Sequence, residues 1–354
     1  MITVEQLLNI ARQMDASDIH MTVGLPPRVR INGTLKDLDY PKLLPEDVSK
    51  IVLSIMNDRQ LKIFKENGEV DFSFSIPSVG RYRVNAFHQR GSVACSMRVV
   101  GTVIPKLEEL GVPESVIELT TKKRGLILVT GPTGSGKSTT LASFIDRINH
   151  ERYEHIITLE DPIEYLHTHN KSMVNQREIG IDTLSYAAAL RAALREDPDV
   201  ILVGEMRDLE TIQTAITAAE TGHLVLSTLH TIGAAATIDR MIDVFPPYQQ
   251  QQIRIQLSMV LEAVISQQLI PASDRNGRVA AFEVMRATVP IRNLIRESKT
   301  YQINNIIQTN RKNGMTTMDD ALIDLCVRDT ISAENAIAYA QDMNFVEKRV
   351  GGII

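Results

Sequence analysis

Apolar and polar positions change period several times along this chain. Residues Thr3 to Met14 repeat at helical spacing, and a second helical stretch runs from Pro45 to about Asn57. Around them the period falls to two, in Pro27-Arg-Val-Arg-Ile31, Val70-Asp-Phe-Ser-Phe-Ser-Ile76 and Arg81-Tyr-Arg-Val-Asn-Ala-Phe87, which predicts short half-buried strands. A small α+β domain over residues 1–100 is expected. The breaker-rich stretch from Gly101 through Pro105 to Pro113 predicts a linker over residues 101–118.

From about Lys122 short apolar runs take over, at Leu126–Val129, His155–Leu159, Val200–Val203 and Leu224–Leu229, alternating with helical segments. That order predicts a doubly wound parallel sheet, here a P-loop domain over residues 119–354. After about Gln249 the pattern reads as mostly helical to the end. The expected fold class is therefore α/β, an α+β domain followed by a P-loop domain with a helical C-terminal region.

Composition narrows the class without changing it. The 354 residues are 44% hydrophobic and 23% charged, as in a soluble chain of two domains with ample core. A net charge of −5 gives no basic field to draw nucleic acid, so no nucleic-acid partner is expected. No apolar run approaches the ~20 residues that span a bilayer, and Met1-Ile-Thr-Val-Glu5 lacks a signal peptide's basic start. No transmembrane segment and a cytoplasmic location are expected. With only Cys95 and Cys326, a four-thiolate zinc site is excluded.

The chemistry begins at the end of the first apolar run. Gly131, Pro132, Thr133, Gly134, Ser135, Gly136, Lys137, Ser138 and Thr139 fit the phosphate-binding pattern G-x-x-x-x-G-K-[ST] between a strand and a helix. Glycines let successive N–H groups curl around an anion at the positive end of the helix. Lys137 suits the β/γ-phosphates of ATP, and the Ser138 hydroxyl suits Mg²⁺.

Hydrolysis further needs a group to orient water, a group to hold the metal, and positive charge on the developing phosphate oxygens. Glu160, Asp161 and Glu164 follow one strand and Glu205 another, and ligands in such sheets bind beyond the carboxyl ends of the strands. Where a metal-holding Asp commonly precedes the Glu, this chain has Gly204, so metal duty falls to Ser138 and to Glu205 through water. The split between Glu160 and Glu205 as base stays open on the residues alone. His223 and His230 flank the strand Leu224–Leu229 and are candidates to meet or relay the γ-phosphate. Arg81 and Arg83 share one face of a strand and suit a phosphate, as a clamp or an arginine finger.

With these residues placed, the chain resembles the secretion and pilus motor ATPases over nearly its whole length. Ala16-Ser-Asp-Ile-His20 with Gly24-Leu-Pro-Pro27 is similar to the start of the family's N-terminal PAS-like domain, and Arg81 to Phe87 to its arginine-bearing strand. Glu160-Asp-Pro-Ile-Glu164 is similar to its aspartate box, Arg195 to Asp208 to its Walker B region, and Thr221 to Thr231 to its histidine box. The resemblance implies a RecA-like core, Glu160 as general base, Glu205 supporting Mg²⁺, a glycine before that glutamate, and arginines that close on nucleotide. It also implies a homohexamer working with pilus machinery and an inner-membrane platform protein, at the cytoplasmic face of the membrane.

Ile291-Arg-Asn-Leu-Ile-Arg296-Glu297 is similar to a retraction-specific motif, with Pro290 where an alanine is usual. The tetracysteine module of assembly-type relatives is missing. The expectation is thus a hexameric ATPase that retracts type IV pili, and so drives twitching, by nucleotide-driven domain motion. The alternatives are a pilus-extension or type II secretion ATPase, and a nucleotide-gated scaffold without useful turnover.

Overall fold

Thr3 opens the first helix with a reciprocal cap, its hydroxyl accepting from Gln6 N at 3.2 Å while Gln6 Oε1 accepts from Thr3 N at 3.0 Å. The computed structural model describes residues 3–31, 33–76, 80–101, 103–274 and 277–351. Met1 and Ile2, at the start of the segment expected to lack a signal peptide's basic start, and Thr102 in the expected linker lie outside the described residues. The chain divides into two units, residues up to Val103 with Glu164–Leu166, and Ile104–Ile163 with His167 onward.

The first unit runs α1 (Val4–Gln13), β1 (Asp18–Met21), β2 (Arg28–Ile31), β3 (Thr34–Asp37), α2 (Pro45–Leu53), α3 (Asp58–Asn67), β4 (Glu69–Ile76), β5 (Gly80–Gln89) and β6 (Ser92–Val99). Its six strands form one antiparallel sheet in the order β3-β2-β1-β6-β5-β4. Tyr82, Val84 and Ala86 of β5 enter a core shared with Leu7, Leu8, Val48 and Val52 of α1 and α2. Asn57, expected at the end of a helix, instead caps the start of α3, where Gln60 N donates to its Oδ1 at 2.9 Å. Asn is favoured at that position because its side chain satisfies an amide that the helix cannot.

The second unit comprises α4 (Glu114–Ile117), β7 (Gly125–Thr130), α5 (Lys137–Glu151), β8 (His155–Glu160), β9 (Met173–Glu178), α6 (Tyr186–Ala193), β10 (Val200–Val203), α7 (Leu209–Glu220), β11 (Leu224–Leu229), α8 (Ala234–Asp243), α9 (Pro247–Val260), β12 (Leu261–Pro271) and β13 (Arg278–Arg286). Helices α10 (Val289–Arg296), α11 (Ile303–Thr309), α12 (Met318–Val327), α13 (Ala333–Ala338) and α14 (Met343–Val350) follow. The sheet order is β13-β12-β7-β11-β10-β8-β9, parallel except for the edge strand β13. Strands β7, β10 and β11 are buried at every position, as a parallel sheet covered on both faces requires. Leu107, Val112 and Val116 pack into the core of this unit.

The expectation of mostly helix after Gln249 is corrected here. Two long strands stand between α9 and α10, and β12 pairs with β7 in the interior of the sheet, one strand in from its edge. Burial on both faces removes the alternation by which a strand is recognised, and Ser266-Gln267-Gln268 breaks the apolar run with three buried polar side chains.

Candidate active site

The phosphate loop is shaped by what lies behind it. At Gly131, with φ at +141°, a Cβ would stand 2.2 Å from the carbonyl oxygen of Gln267 on β12, and at Gly136 it would stand 2.8 Å from the Gln267 side chain. Only glycine lets the loop approach that strand so closely. Gln267 Oε1 accepts from Thr140 Oγ1 at 2.8 Å, fastening the first turn of α5 to the same residue. Lys137 is buried at the helix start, its Nζ donating to the carbonyls of Gly131 and Pro132 at 2.9 Å each. The Ser135 hydroxyl is buried in the loop with no hydrogen-bond partner.

Beside this loop three strand ends converge. The backbone N of Gly204 donates to Leu159 O at 2.7 Å, and Thr228 Oγ1 donates to Gly204 O at 2.6 Å, so the ends of β8, β10 and β11 are laced together. Glu160 Oε1 accepts from Thr158 Oγ1 at 2.7 Å and from Gln176 Nε2 at 3.1 Å. Gln176 Oε1 in turn accepts from His167 N at 2.8 Å, which holds the amide in one orientation.

Glu205 Oε1 lies 2.6 Å from Arg207 Nε and 3.1 Å from His230 Nε2. Burial works to raise the Glu205 carboxyl, but the hydrogen bonds and charges of Arg207 and His230 hold it below the usual carboxylate range. The other ring nitrogen of His230 lies 3.5 Å from Thr133 Oγ1, so Glu205, His230 and Thr133 form a chain that ends on the phosphate loop. Burial first, then the charges of Asp161, Glu205 and Glu160, push the Tyr186 phenol up, so it keeps its proton among three carboxylates.

A cleft of about 520 Å³ opens here, lined by Thr133, Glu205, Arg207, His230, Thr231 and Arg240 among others. Its volume suits a nucleotide-sized ligand. Arg207 and Arg240 are cations that the sequence reading did not single out, although Arg207 lies two residues past Glu205. Gln176 and Gln267 were missed as well, and an isolated glutamine carries no signal of either role.

Not every expected residue is gathered here. His223 stands at the amino end of β11, its Nδ1 donating to Ala218 O at 2.8 Å. The six residues of β11 stand between it and His230, a span of roughly 23 Å for seven steps of 3.3 Å. Arg81 and Arg83 belong to the first unit, on the face of β5 opposite Tyr82 and Val84. Arg83 is the cross-strand neighbour of Arg98, whose Nε lies 2.8 Å from the buried Asp18.

The family described as Type II/IV secretion system protein matches residues 1–337. The type IV pilus retractation ATPase PilT of Pseudomonas aeruginosa is 51% identical over 94% of this chain and 96% of its own length. The twitching motility protein of Neisseria gonorrhoeae is 51% identical over 89% of this chain and 84% of its own. Among solved structures, the crystal structure of the pilus retraction motor PilT with bound ADP is 52% identical and superposes with a TM-score of 0.92, covering 98% of this chain and all of that one.

Proposed function

From its place in the type II/IV secretion system protein family, to which the chain belongs, we propose that it is an ATP-hydrolysing motor that powers type IV pilus retraction. The observation that carries the chemistry is the junction of the phosphate loop with Glu205 and His230 through Thr133. Loop amides and Lys137 hold the β- and γ-phosphates. Glu160, oriented by Thr158 and Gln176, takes the proton of the attacking water. The link of Glu205 and His230 to the phosphate loop through Thr133 supports them as the groups that meet the γ-phosphate, and Arg207 and Arg240 would add positive charge to the cleft. Arg81 and Arg83 are proposed to clamp the nucleotide, and His223 to hold the far end of β11; family resemblance supports the first and the bond to Ala218 the second.

Mg²⁺ fits the oxygen donors available. Ser138 and, through water, Glu205 are the residues that would hold it. Among the described residues no cluster of three or more His, Cys, Asp or Glu is placed to hold a metal ion. When bound it supplies charge neutralisation on the phosphate oxygens. The homohexamer, the inner-membrane platform protein and a place at the cytoplasmic face of that membrane are supported by the resemblance alone. No described helix is long and apolar enough to cross a membrane.

Steady-state ATP turnover of Lys137→Ala and Glu160→Ala tests the site. Each is expected to fall on the order of a hundredfold or more, and near wild-type rates in both overturn the assignment. In cells, loss of a retraction motor leaves abundant pili, whereas loss of an extension motor leaves none.

A further inference from the structure

Glu283, on β13, is 1% exposed. Buried apolar residues occupy both faces of the strand at this depth, Ala281 and Met285 on the side of Glu283 and Phe282 and Val284 on the other. A buried carboxylate costs free energy unless it is fully hydrogen-bonded. Its partners are three N–H groups from distant parts of the chain. Oε1 accepts from Ala234 N, the first amide of α8, at 2.7 Å. Oε2 accepts from Met318 N, the first amide of α12, at 3.3 Å, and from Gln341 Nε2 at 3.2 Å. One carboxyl group thus caps the N-termini of two ten-residue helices, whose amides and dipoles work against the burial that pushes it above the usual carboxylate range.

The two helices connect different things. Helix α8 begins four residues after His230, and the intervening loop is fastened at its end. Ser266, the cross-strand partner of Glu283, accepts from Gly233 N at 3.0 Å through its hydroxyl. Thr237 donates to Gly233 O at 2.8 Å and contacts Thr231 Oγ1 at 2.7 Å. Helix α12 belongs to the C-terminal helices, packed through Met318, Leu322, Cys326, Val346 and Val350. Gln341 travels with them, because its backbone N and that of Asp342 both donate to Asp319 in the first turn of α12, at 2.7 and 3.0 Å. Two of the three donors on Glu283 therefore move as a body with the C-terminal helices.

We infer that Glu283 is a positioning residue for the hydrolytic site, a shared cap that makes the placement of the His230 loop depend on the C-terminal helices. The inference rests on the reading of His230 as part of that site. A shift of a fraction of an ångström at Ala234 displaces the histidine from Glu205 and Thr133, and reacting groups tolerate little misplacement.

Gln341 is exposed, so Gln341→Ala tests the link without disturbing a core. Turnover at saturating ATP is expected to fall roughly three- to tenfold, with the dissociation constant for a fluorescent ADP analogue within about twofold of wild type, since the phosphate loop is untouched. Glu283→Gln, which presents an amide donor to N–H groups, is expected to fall further. The decisive measurement is a double-mutant cycle with His230→Ala, in which Gln341→Ala should add nothing once the histidine is gone. Equal fold-losses in both backgrounds overturn the inference, as does wild-type turnover of Gln341→Ala, while His230→Ala at full rate overturns the site reading on which it rests.

Discussion

Gly204 has no room for a side chain. A Cβ there would meet the Tyr186 hydroxyl at 2.9 Å and the Leu159 carbonyl at 3.1 Å, with the Cα of Glu160 at 3.4 Å. Packing, rather than metal chemistry, thus keeps an Asp from this position. Gly204→Ala is expected to lose about 1–3 kcal/mol in urea unfolding and to lower ATP turnover, because the residue pushed away carries Glu160; unchanged values of both would refute the steric account. His167 offers a pH test. Burial pushes its imidazole down from 6.5 to about 4, so between those values the unfolded chain binds a proton that the folded chain refuses. Its contribution to stability is full above pH 6.5 and is lost as pH falls toward 4, on the order of 3 kcal/mol in all. Urea midpoints of wild type and His167→Gln should converge as the pH is lowered through that window, and parallel curves would count against it.

At the scale of elements, β12 does most to organise the site. Ser266, Gln267 and Gln268 are all buried, and Ser266 pairs in register with Thr130 at the end of β7. Because side chains alternate across a strand, Gln267 supports the phosphate loop while Ser266 holds the loop after His230. Gln267→Leu removes the acceptor of Thr140 and the side chain against Gly136, and is expected to cost about 1–3 kcal/mol of stability together with nucleotide affinity. Denaturant titration and fluorescent-nucleotide binding would check this, and wild-type values in both would remove Gln267 from the loop's support. Strands β7, β8, β10 and β11 were legible in the sequence because each is a short apolar run followed by polar residues. Strand β12 was not, because its buried glutamines imitate the polar positions of a helix. Strand β9, Met-Val-Asn-Gln-Arg-Glu, is a polar edge strand with no apolar run to betray it, yet it carries Gln176 to Glu160.

At the scale of the whole molecule, each unit has its own hydrophobic core. Leu7 to Met97 supply one, and residues from Leu107 onward supply the others. Two calorimetric transitions are expected, and ADP at about a thousand times its dissociation constant should raise that of the unit bearing the phosphate loop by roughly 4 kcal/mol. A single transition unaltered by nucleotide would contradict both statements. The phosphate loop, the acidic and histidine-bearing strand ends and the paired arginines can be read along the chain, because each is a local pattern in which neighbouring residues dictate backbone shape and polarity. So can the place of His223 and His230 at opposite ends of one strand. Why residue 204 is glycine, which glutamines hold Glu160 and the phosphate loop, and that Glu283 joins the helix after His230 to the C-terminal helices emerge only once distant segments are packed together. Those facts depend on the register of strands far apart in sequence, and a one-residue slip would turn each of these side chains to the other face.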